Sequence, residues 1–228
     1  NILTITPDIR GHGYSGGRRG DAPTPEHIHE DVSIFIRHLK NKYPNKLIFL
    51  GGHSGGAGLL LNYSSYNKKE KVAGYIFIAP YLGWRSQTKK ENLKTPLVKY
   101  IKKDLFVKNA MFGGYGNEKV IFYNVSDETL KNRPKAVPAI TVNMSNAIDP
   151  TSPALQLQNI TSPLAVWVGS KDEGFNAHKL VSFVKQNNPK AETKIIEGEK
   201  HLSIILISSK YIGEWINRFI RNPRLSIK

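Results

Sequence analysis

The most informative part of the chain is residues 46–59, which read Lys46-Leu47-Ile48-Phe49-Leu50-Gly51-Gly52-His53-Ser54-Gly55-Gly56-Ala57-Gly58-Leu59. The apolar residues 47–50 have the length and character of a β-strand, and residues 59–63 favour a helix. A glycine pair, one serine and further small residues lie between them. The pattern Gly52-x-Ser54-x-Gly56 therefore predicts a strand that stops at the glycine pair, a very tight turn, and a helix.

This turn gives Ser54 a candidate chemical role. We expect side chains at positions 52 and 56 to collide with the neighbouring strand and helix, so Gly52 and Gly56 are predicted to be steric requirements. The turn would hold the Ser54 hydroxyl at the carboxyl edge of a sheet. The amide of Gly55, at the helix start, would face a developing oxyanion. Ser54 is thus predicted to be a nucleophile, and a plain glycine-rich turn is the alternative.

The composition limits the class of protein. The chain has 228 residues, of which 39% are hydrophobic and 22% are charged, which suits one globular domain with or without an insertion. It has no cysteine, which excludes disulfides, thiol catalysis and cysteine-bound metals. No apolar run approaches the ~18 residues of a membrane span. The sequence assigns no compartment, because it begins at Asn1 and a targeting segment could precede it.

The net charge of +15 is carried mostly by lysines, such as Lys68-Lys69, Lys89-Lys90 and Lys102-Lys103. They are dispersed and lack the arginines and interleaved aromatic residues of a nucleic-acid-binding face, so we expect no nucleic-acid partner. A solvated surface is the favoured interpretation. Peripheral contact with an anionic membrane or an acidic partner is the alternative.

Strands and helices alternate on both sides of the tight turn at Ser54, as in α/β proteins. We predict a strand over residues 2–6, an amphipathic helix from Thr24-Pro25 to Tyr43-Pro44, and a buried strand over residues 72–80. The alternation resumes with strands at 163–169 and 193–196 and a last helix over 204–220. The predicted fold is a mainly parallel sheet with helices on both faces.

The alternation stops between residues 81 and 162. This segment contains a predicted helix at about Pro96–Phe106 and short apolar stretches at 120–125 and 139–142. We interpret residues 83–160 as a cap or lid inserted over the sheet edge, and residues 1–82 and 161–228 as the core.

Two polar residues follow the later strands and complete a candidate catalytic set. A serine needs a base to take its proton, and the base needs a third group to orient it. Asp172 and His201 each follow a strand, so both are expected at the edge of the sheet where Ser54 lies. The order Ser, acid, His is that of α/β-hydrolases. We predict Ser54 as nucleophile, His201 as general base and then acid, and Asp172 as the group that fixes the imidazole tautomer.

Other histidines and carboxylates are rivals for these roles. His53 adjoins the serine, but its side chain is expected to leave the turn in another direction. His12, in a polar loop, could line the site or be structural, and Glu173 and Asp149 are the rival acids. The remaining candidates are helical histidines expected at the surface, namely His27, His29, His38 and His178. His27 and His29 with nearby carboxylates could suggest a metal site, but on a helix they spread around the circumference, so we expect neither metal nor cofactor.

Four landmarks in order resemble those of the α/β-hydrolase fold, in its lysophospholipase and monoacylglycerol lipase-like branch: Asp8-x-Arg10-Gly11-His12-Gly13-x-Ser15, Gly52-His53-Ser54-Gly55-Gly56, Gly169-Ser170-Lys171-Asp172 and Glu199-Lys200-His201. The resemblance implies hydrolysis of a small acyl ester through an acyl-enzyme, with the insertion as an acyl-chain-binding cap. A thioesterase, acyltransferase or peptidase would use the same residues. A non-catalytic binding module with a basic membrane- or partner-binding surface is the alternative from another class.

The sequence departs from this branch in two places. Methionine often follows the nucleophile there, whereas this chain has Gly55, which should alter packing more than chemistry because the oxyanion donor is a backbone amide. In the family, three strands precede the one that residues 2–6 resemble, and a His-Gly loop after the third supplies a second oxyanion amide. We therefore expect this chain to be a piece of a longer protein, with the second donor outside it.

Overall fold

The computed structural model describes residues 2–91 and 96–221, and that part of the chain forms two compact units. The first unit comprises Asn1–Ile34 and Lys94–Ala147, and the second comprises Phe35–Leu93 and Ile148–Lys228. The strands are β1 (Phe49–His53), β2 (Gly74–Ile78), β3 (Val98–Ile101), β4 (Lys119–Tyr123), β5 (Ala139–Thr141), β6 (Leu164–Gly169) and β7 (Glu192–Ile196). The α-helices are α1 (Pro25–Lys42), α2 (Gly55–Ser64), α3 (Lys103–Phe112), α4 (Asp127–Asn132), α5 (Val142–Ile148), α6 (Pro153–Gln158), α7 (Ala177–Asn187) and α8 (Ser203–Arg221).

The second unit is built on a parallel sheet with strand order β1-β2-β6-β7. Each of these strands is followed along the chain by a loop or helix that starts at the carboxyl end of the strand. This is the α/β architecture that the alternation of apolar segments predicted, and the α/β fold class is confirmed. All carboxyl ends lie at one edge, where parallel sheets place their ligands.

Helices pack on both faces of this sheet because alternate side chains of each strand point to opposite sides. On one face, Phe77 and Val166 belong to a buried cluster with Leu61 of α2 and Leu180 of α7. On the other face, Ile76 and Trp167 belong to a cluster with the buried side chains of α8, Ile204, Trp215, Ile216 and Phe219. Burial on both faces explains why β2 and β6 are almost continuously apolar.

The first unit contains a three-stranded antiparallel sheet, β3-β4-β5. The N-terminal loop packs against it: Thr141 donates its N–H to the carbonyl of Gly20 at 2.9 Å, and the side-chain amide of Asn143 donates to the carbonyl of Pro23 at 2.7 Å. Arg10 in this loop forms two hydrogen bonds, of 2.8 and 2.7 Å, with the carboxylate of Asp31 on α1. The loop is therefore held by specific polar contacts.

Three predicted elements differ in the structure. Residues 2–6 are in no strand, because no described strand pairs with them, and Ile2, Leu3 and Ile5 are exposed. The helix predicted at 96–106 is wrong: the strand-forming residues of 98–101 pair with β4, and the helix begins only at Lys103. The strand before Ser54 does not stop at the glycine pair as predicted, since the ladder of β1 with β2 continues to His53.

The predicted boundaries of core and cap at residues 82 and 160 stay a prediction.

In the part of the chain that the structure describes, no helix is both long enough and apolar enough to cross a membrane.

Candidate active site

Ser54 lies in a strained turn between β1 and α2. Its φ of 52° and ψ of −119° are unusual for a residue with a side chain and cost about 1–3 kcal/mol. The backbone is held there by hydrogen bonds: its N–H donates to the carbonyl of Ile78 at 3.1 Å, and its carbonyl accepts from the amides of Ala57, Gly58 and Tyr81 at 3.1, 3.2 and 3.0 Å. The strand, tight turn and helix predicted around this serine are present.

The glycines around Ser54 differ in what they do. A Cβ atom at Gly52 would lie 2.6 Å from the backbone of Gly56 and Ala57, so this position excludes any side chain. At Gly56, a Cβ atom would meet nothing within 4 Å beyond its chain neighbours and the backbone of its own helix, so the prediction of a steric requirement is wrong there. Gly55 is the first residue of α2, and its amide is one of the helix-start N–H groups that have no partner within the helix.

The structure brings together the three residues predicted to form the catalytic set. Nε2 of His201 lies 3.1 Å from Oγ of Ser54, and Nδ1 of His201 lies 2.9 Å from Oδ2 of Asp172. A carboxylate only accepts hydrogen bonds, so we assign the imidazole proton to Nδ1. Nε2 then has a free lone pair directed at the serine hydroxyl. This arrangement can take a proton from Ser54.

Asp172 is fixed by its own loop and is completely buried. Its other oxygen, Oδ1, accepts hydrogen bonds from the backbone amides of Gly174 and Phe175, each at 2.8 Å. The ammonium group of Lys90 donates to the Asp172 carbonyl at 2.6 Å. A buried carboxylate is costly unless it is hydrogen-bonded, and the two amide donors to Oδ1 offset that cost and set the direction of Oδ2 toward His201.

The rivals for these roles make other contacts. His53 directs Nε2 to the backbone carbonyl of His201 at 2.8 Å, and burial lowers the pKa of its imidazole. Glu173 accepts the backbone N–H of His201 at 2.9 Å, and this hydrogen bond lowers the pKa of its carboxyl. Asp149 lies between α5 and α6. Burial raises the pKa of its carboxyl, and its Oδ1 has no hydrogen-bond partner among the described residues.

An aromatic pair beside His201 was not anticipated from the sequence. The ring of Phe175 meets the imidazole of His201 edge to face at 5.2 Å, and the ring of Tyr81 stacks on Phe175 at 6.5 Å. Both follow strands of the parallel sheet, which is the one signal that could have pointed to them. They give His201 an apolar side.

The remaining histidines contact none of Ser54, His201 and Asp172 in the hydrogen bonds described above. His27, His38 and His178 are exposed, as predicted for helix surfaces. His29 is buried, so the surface prediction is wrong for it: its Nε2 lies 3.4 Å from the carbonyl of Ala147. In the first unit, Nδ1 of His12 lies 3.1 Å from the carbonyl of Arg10, and burial lowers the pKa of His12. A role for His12 in the site stays a prediction.

Solved structures share this fold. The chain superposes with a TM-score of 0.66 and 18% identity on a soluble variant of monoglyceride lipase from Saccharomyces cerevisiae, covering 92% of this chain and 76% of that one. For a monoacylglycerol lipase from Paleococcus ferrophilus, the TM-score is 0.58 and the identity is 17%, and the match covers 90% of this chain and 79% of that one. For a thermophilic esterase from Thermogutta terrifontis, the TM-score is 0.57 and the identity is 19%, and the match covers 92% of this chain and 78% of that one. At these identities, the likeness shows the fold.

One curated relative matches a short stretch. Over 75 residues, the chain is 35% identical to an uncharacterized abhydrolase domain-containing protein from Dictyostelium discoideum. The match covers 33% of this chain and only 8% of the length of that relative.

The family assignment rests on most of the sequence. Residues 1–205 match the family described as serine aminopeptidase, S33 (Hydrolase_4). This range includes the strained serine and both partners in its hydrogen-bond chain. The chain therefore belongs to the S33 serine aminopeptidase family of α/β-hydrolases.

Proposed function

We propose that the protein hydrolyses carboxylic esters through an acyl-enzyme, with Ser54 as nucleophile, His201 as general base and acid, and Asp172 as the residue that orients the imidazole. The observation that carries this proposal is the unbroken chain of contacts from Ser54 Oγ to His201 Nε2 at 3.1 Å and from His201 Nδ1 to Asp172 Oδ2 at 2.9 Å. This series of hydrogen-bonded side chains serves to move a proton, and a protein that only binds a ligand does not need it.

The reaction follows from the position of each atom. Ser54 Oγ bonds to the acyl carbon while Nε2 of His201 takes the hydroxyl proton, and the amide of Gly55 donates to the oxyanion that forms on the carbonyl oxygen. The tetrahedral intermediate collapses, the bond to the alcohol oxygen breaks, and His201 returns the proton to that oxygen. A water molecule then attacks the acyl-enzyme with the same proton transfers and releases the acid. Asp172 stabilises the imidazolium in both halves of the reaction.

We further propose that the substrate is a small acyl ester of the monoacylglycerol or lysophospholipid class, and that residues 83–160 form the cap that binds its acyl chain. Two structures that share the fold are named as monoacylglycerol or monoglyceride lipases, which supports this choice. The family name supports an amide substrate instead, since a peptidase can use the same three residues.

A substrate panel with a Ser54→Ala variant tests the proposal. We expect the full-length protein to hydrolyse monoacylglycerols or lysophospholipids, and Ser54→Ala to abolish this turnover while the circular dichroism spectrum is unchanged. Ester turnover that persists in Ser54→Ala would overturn the assignment of the nucleophile. Faster turnover of thioesters or aminoacyl amides than of esters would overturn the proposed ester class and retain the mechanism. Transfer of the acyl group to an alcohol in place of water would do the same.

A second candidate function, binding to an anionic membrane, is favoured by a specific surface of the first unit. On this surface, formed by residues 97–112, Met111 and Phe112 are 68% and 74% exposed, and none of the residues of α3 is buried. Its other exposed apolar residues are Leu97, Tyr100, Ile101 and Val107, and its lysines are Lys99, Lys102, Lys103 and Lys108. Apolar side chains among lysines fit the boundary between anionic headgroups and acyl chains.

Vesicle sedimentation tests this second candidate. We expect the protein to bind vesicles of anionic lipid, to bind zwitterionic vesicles less, and to lose binding in high salt or in the double variant Met111→Asp, Phe112→Asp. Leu206→Asp on α8 is the matched control, because Leu206 is 83% exposed and lies outside residues 97–112. Binding that is equal for both lipids, or unchanged in the double variant, would contradict it.

A further inference from the structure

Both backbone groups of His201 are held by side chains that adjoin the other two members of the catalytic set. Its N–H donates to Oε2 of Glu173 at 2.9 Å, and its carbonyl lies 2.8 Å from Nε2 of His53. Glu173 directly follows Asp172, and His53 directly precedes Ser54. His201 itself lies in the turn between β7 and α8, outside the regular hydrogen bonding of either element. These two side chains therefore supply the fixed partners that a strand or helix would provide elsewhere.

We propose that His53 and Glu173 are positioning residues that hold the backbone of His201 at the distance at which its imidazole reaches both Ser54 and Asp172. The proposal rests on the proposed function, since it assigns these two residues a part in the same reaction. Both act through His201.

The anchoring of each side chain supports this role. His53 is the last residue of β1, and its backbone is paired with Ile78 in the parallel sheet. Its ring lies 4.7 Å from the ring of His201, centre to centre. The link therefore runs from a rigid strand to the carbonyl of the base without passing through the Ser54 side chain. Glu173 is anchored through its neighbour Asp172, which is fully buried. Catalytic groups must keep their places to within about 0.5 Å, which a loop residue achieves only with such support.

The protonation states also fit the role. A carbonyl oxygen accepts, so Nε2 of His53 must carry the proton, and a neutral imidazole is sufficient to donate it. Burial lowers the pKa of His53, which keeps a second positive charge away from His201 when the latter becomes an imidazolium. The carboxyl of Glu173 has a lowered pKa because of its bond to the His201 amide, so it remains an acceptor at neutral pH.

Steady-state kinetics of matched variants test the proposal. We expect His53→Leu and Glu173→Ala to lower kcat by roughly 10- to 100-fold with KM within about twofold of wild type, because misplacing a reacting group by about 1 Å costs rates of that order. His53→Gln keeps an N–H donor and Glu173→Gln keeps an oxygen acceptor, so both should recover kcat to within about fivefold of wild type. His178→Leu, an exposed histidine on α7, is the control that should match wild type.

A spectroscopic measurement separates positioning from a general loss of folding. The proton assigned to Nδ1 of His201 is hydrogen-bonded to Oδ2 of Asp172. We expect its low-field NMR resonance to be present in wild type and in the two Gln variants. It should broaden or vanish in His53→Leu and Glu173→Ala while the backbone spectrum stays that of a folded protein. If His53→Leu does not fold, Glu173→Ala still tests the role, because the Glu173 side chain is exposed.

The outcomes distinguish this inference from the proposed function. Wild-type ester turnover that is lost in Ser54→Ala but kept in both His53→Leu and Glu173→Ala would overturn the positioning role alone. A wild-type protein that turns over no ester would overturn the proposed function itself. Loss of kcat in Leu and Gln variants alike would contradict the hydrogen-bond explanation.

Discussion

The hydroxyl oxygen of Ser54 lies 3.1 Å from Nε2 of His201, although the two are 147 positions apart in sequence. Both follow strands of one parallel sheet, at opposite ends of the order β1-β2-β6-β7. The sheet brings their loops to the same edge, and the turn between β1 and α2 raises the serine toward the imidazole. The contact is thus a product of sheet topology and of one strained residue.

The strain at Ser54 predicts that glycine stabilises this position. Its φ of 52° is accessible to glycine at little cost, whereas alanine keeps the conflict between Cβ and the backbone. We expect Ser54→Gly to be more stable than Ser54→Ala by about 1 kcal/mol, after allowing for the greater freedom of glycine in the unfolded chain. Urea denaturation of the two inactive variants measures this difference. An alanine variant as stable as the glycine variant would mean that the turn is not strained.

The two glycines that flank the serine should respond differently to alanine. Gly52→Ala places a Cβ atom 2.6 Å from the backbone of Gly56 and Ala57, and we expect a loss of about 1–3 kcal/mol or more, or failure to fold. Gly56→Ala meets no described atom within 4 Å and lies in α2, so we expect it to be neutral or to stabilise by up to about 1 kcal/mol. Thermal denaturation compares them, and equal losses in both would be inconsistent with the structure.

Asp172→Asn should abolish most activity with little change in the position of His201. An asparagine amide can donate to Nδ1 and so favour the tautomer with the proton on Nε2, which cannot accept the serine proton. We expect kcat to fall by about 10⁴-fold, as in other serine triads. Stopped ester turnover together with an intact melting transition would support this. A fall of less than about tenfold would indicate that another group orients His201.

Stability should decrease as the pH falls below about 6.5 because three buried or half-buried histidines have lowered pKa values in the folded protein. Burial lowers the pKa values of His12, His29 and His53, so the unfolded chain binds protons more readily than the folded protein. The free energy of unfolding is therefore highest at a pH above the pKa that these histidines have in the unfolded chain. It decreases as the pH falls, until the pH is below their pKa values in the folded protein.

Urea denaturation between about pH 7.5 and 5.5 measures this decrease. His29→Gln should make the dependence on pH less steep, because it removes one buried titrating group, whereas His178→Gln, at an exposed position, should leave it unchanged. A slope that is the same in wild type and His29→Gln would contradict the assignment.

The site was predictable from the sequence where geometry follows from strand order. Ser54, Asp172 and His201 each come after a strand of the parallel sheet, so the sheet alone places them at one edge. The strict need for Gly52 was also readable, because the turn is tight. Their catalytic roles stay predictions, to be settled by the variants above.

Other features depend on contacts between distant residues that a pattern does not encode. His53 and Glu173 adjoin the predicted residues, yet their bonds to the backbone of His201 depend on how two loops meet. The sequence predicts a helix over residues 98–101, whereas the structure has a strand there because these residues pair with β4, a partner that local sequence does not specify. The burial of His29 likewise arises from packing near Ala147, which helix periodicity does not specify.

The most direct test is mass spectrometry of the purified full-length protein after treatment with a fluorophosphonate. In this reaction, Oγ of an activated serine displaces fluoride from phosphorus while the base takes the hydroxyl proton. The contact between Ser54 and His201 predicts a single adduct on the peptide that contains Ser54, and its loss in His201→Ala. No adduct on the folded wild-type protein, or an adduct that persists at the same rate in His201→Ala, would contradict an activated serine at this site.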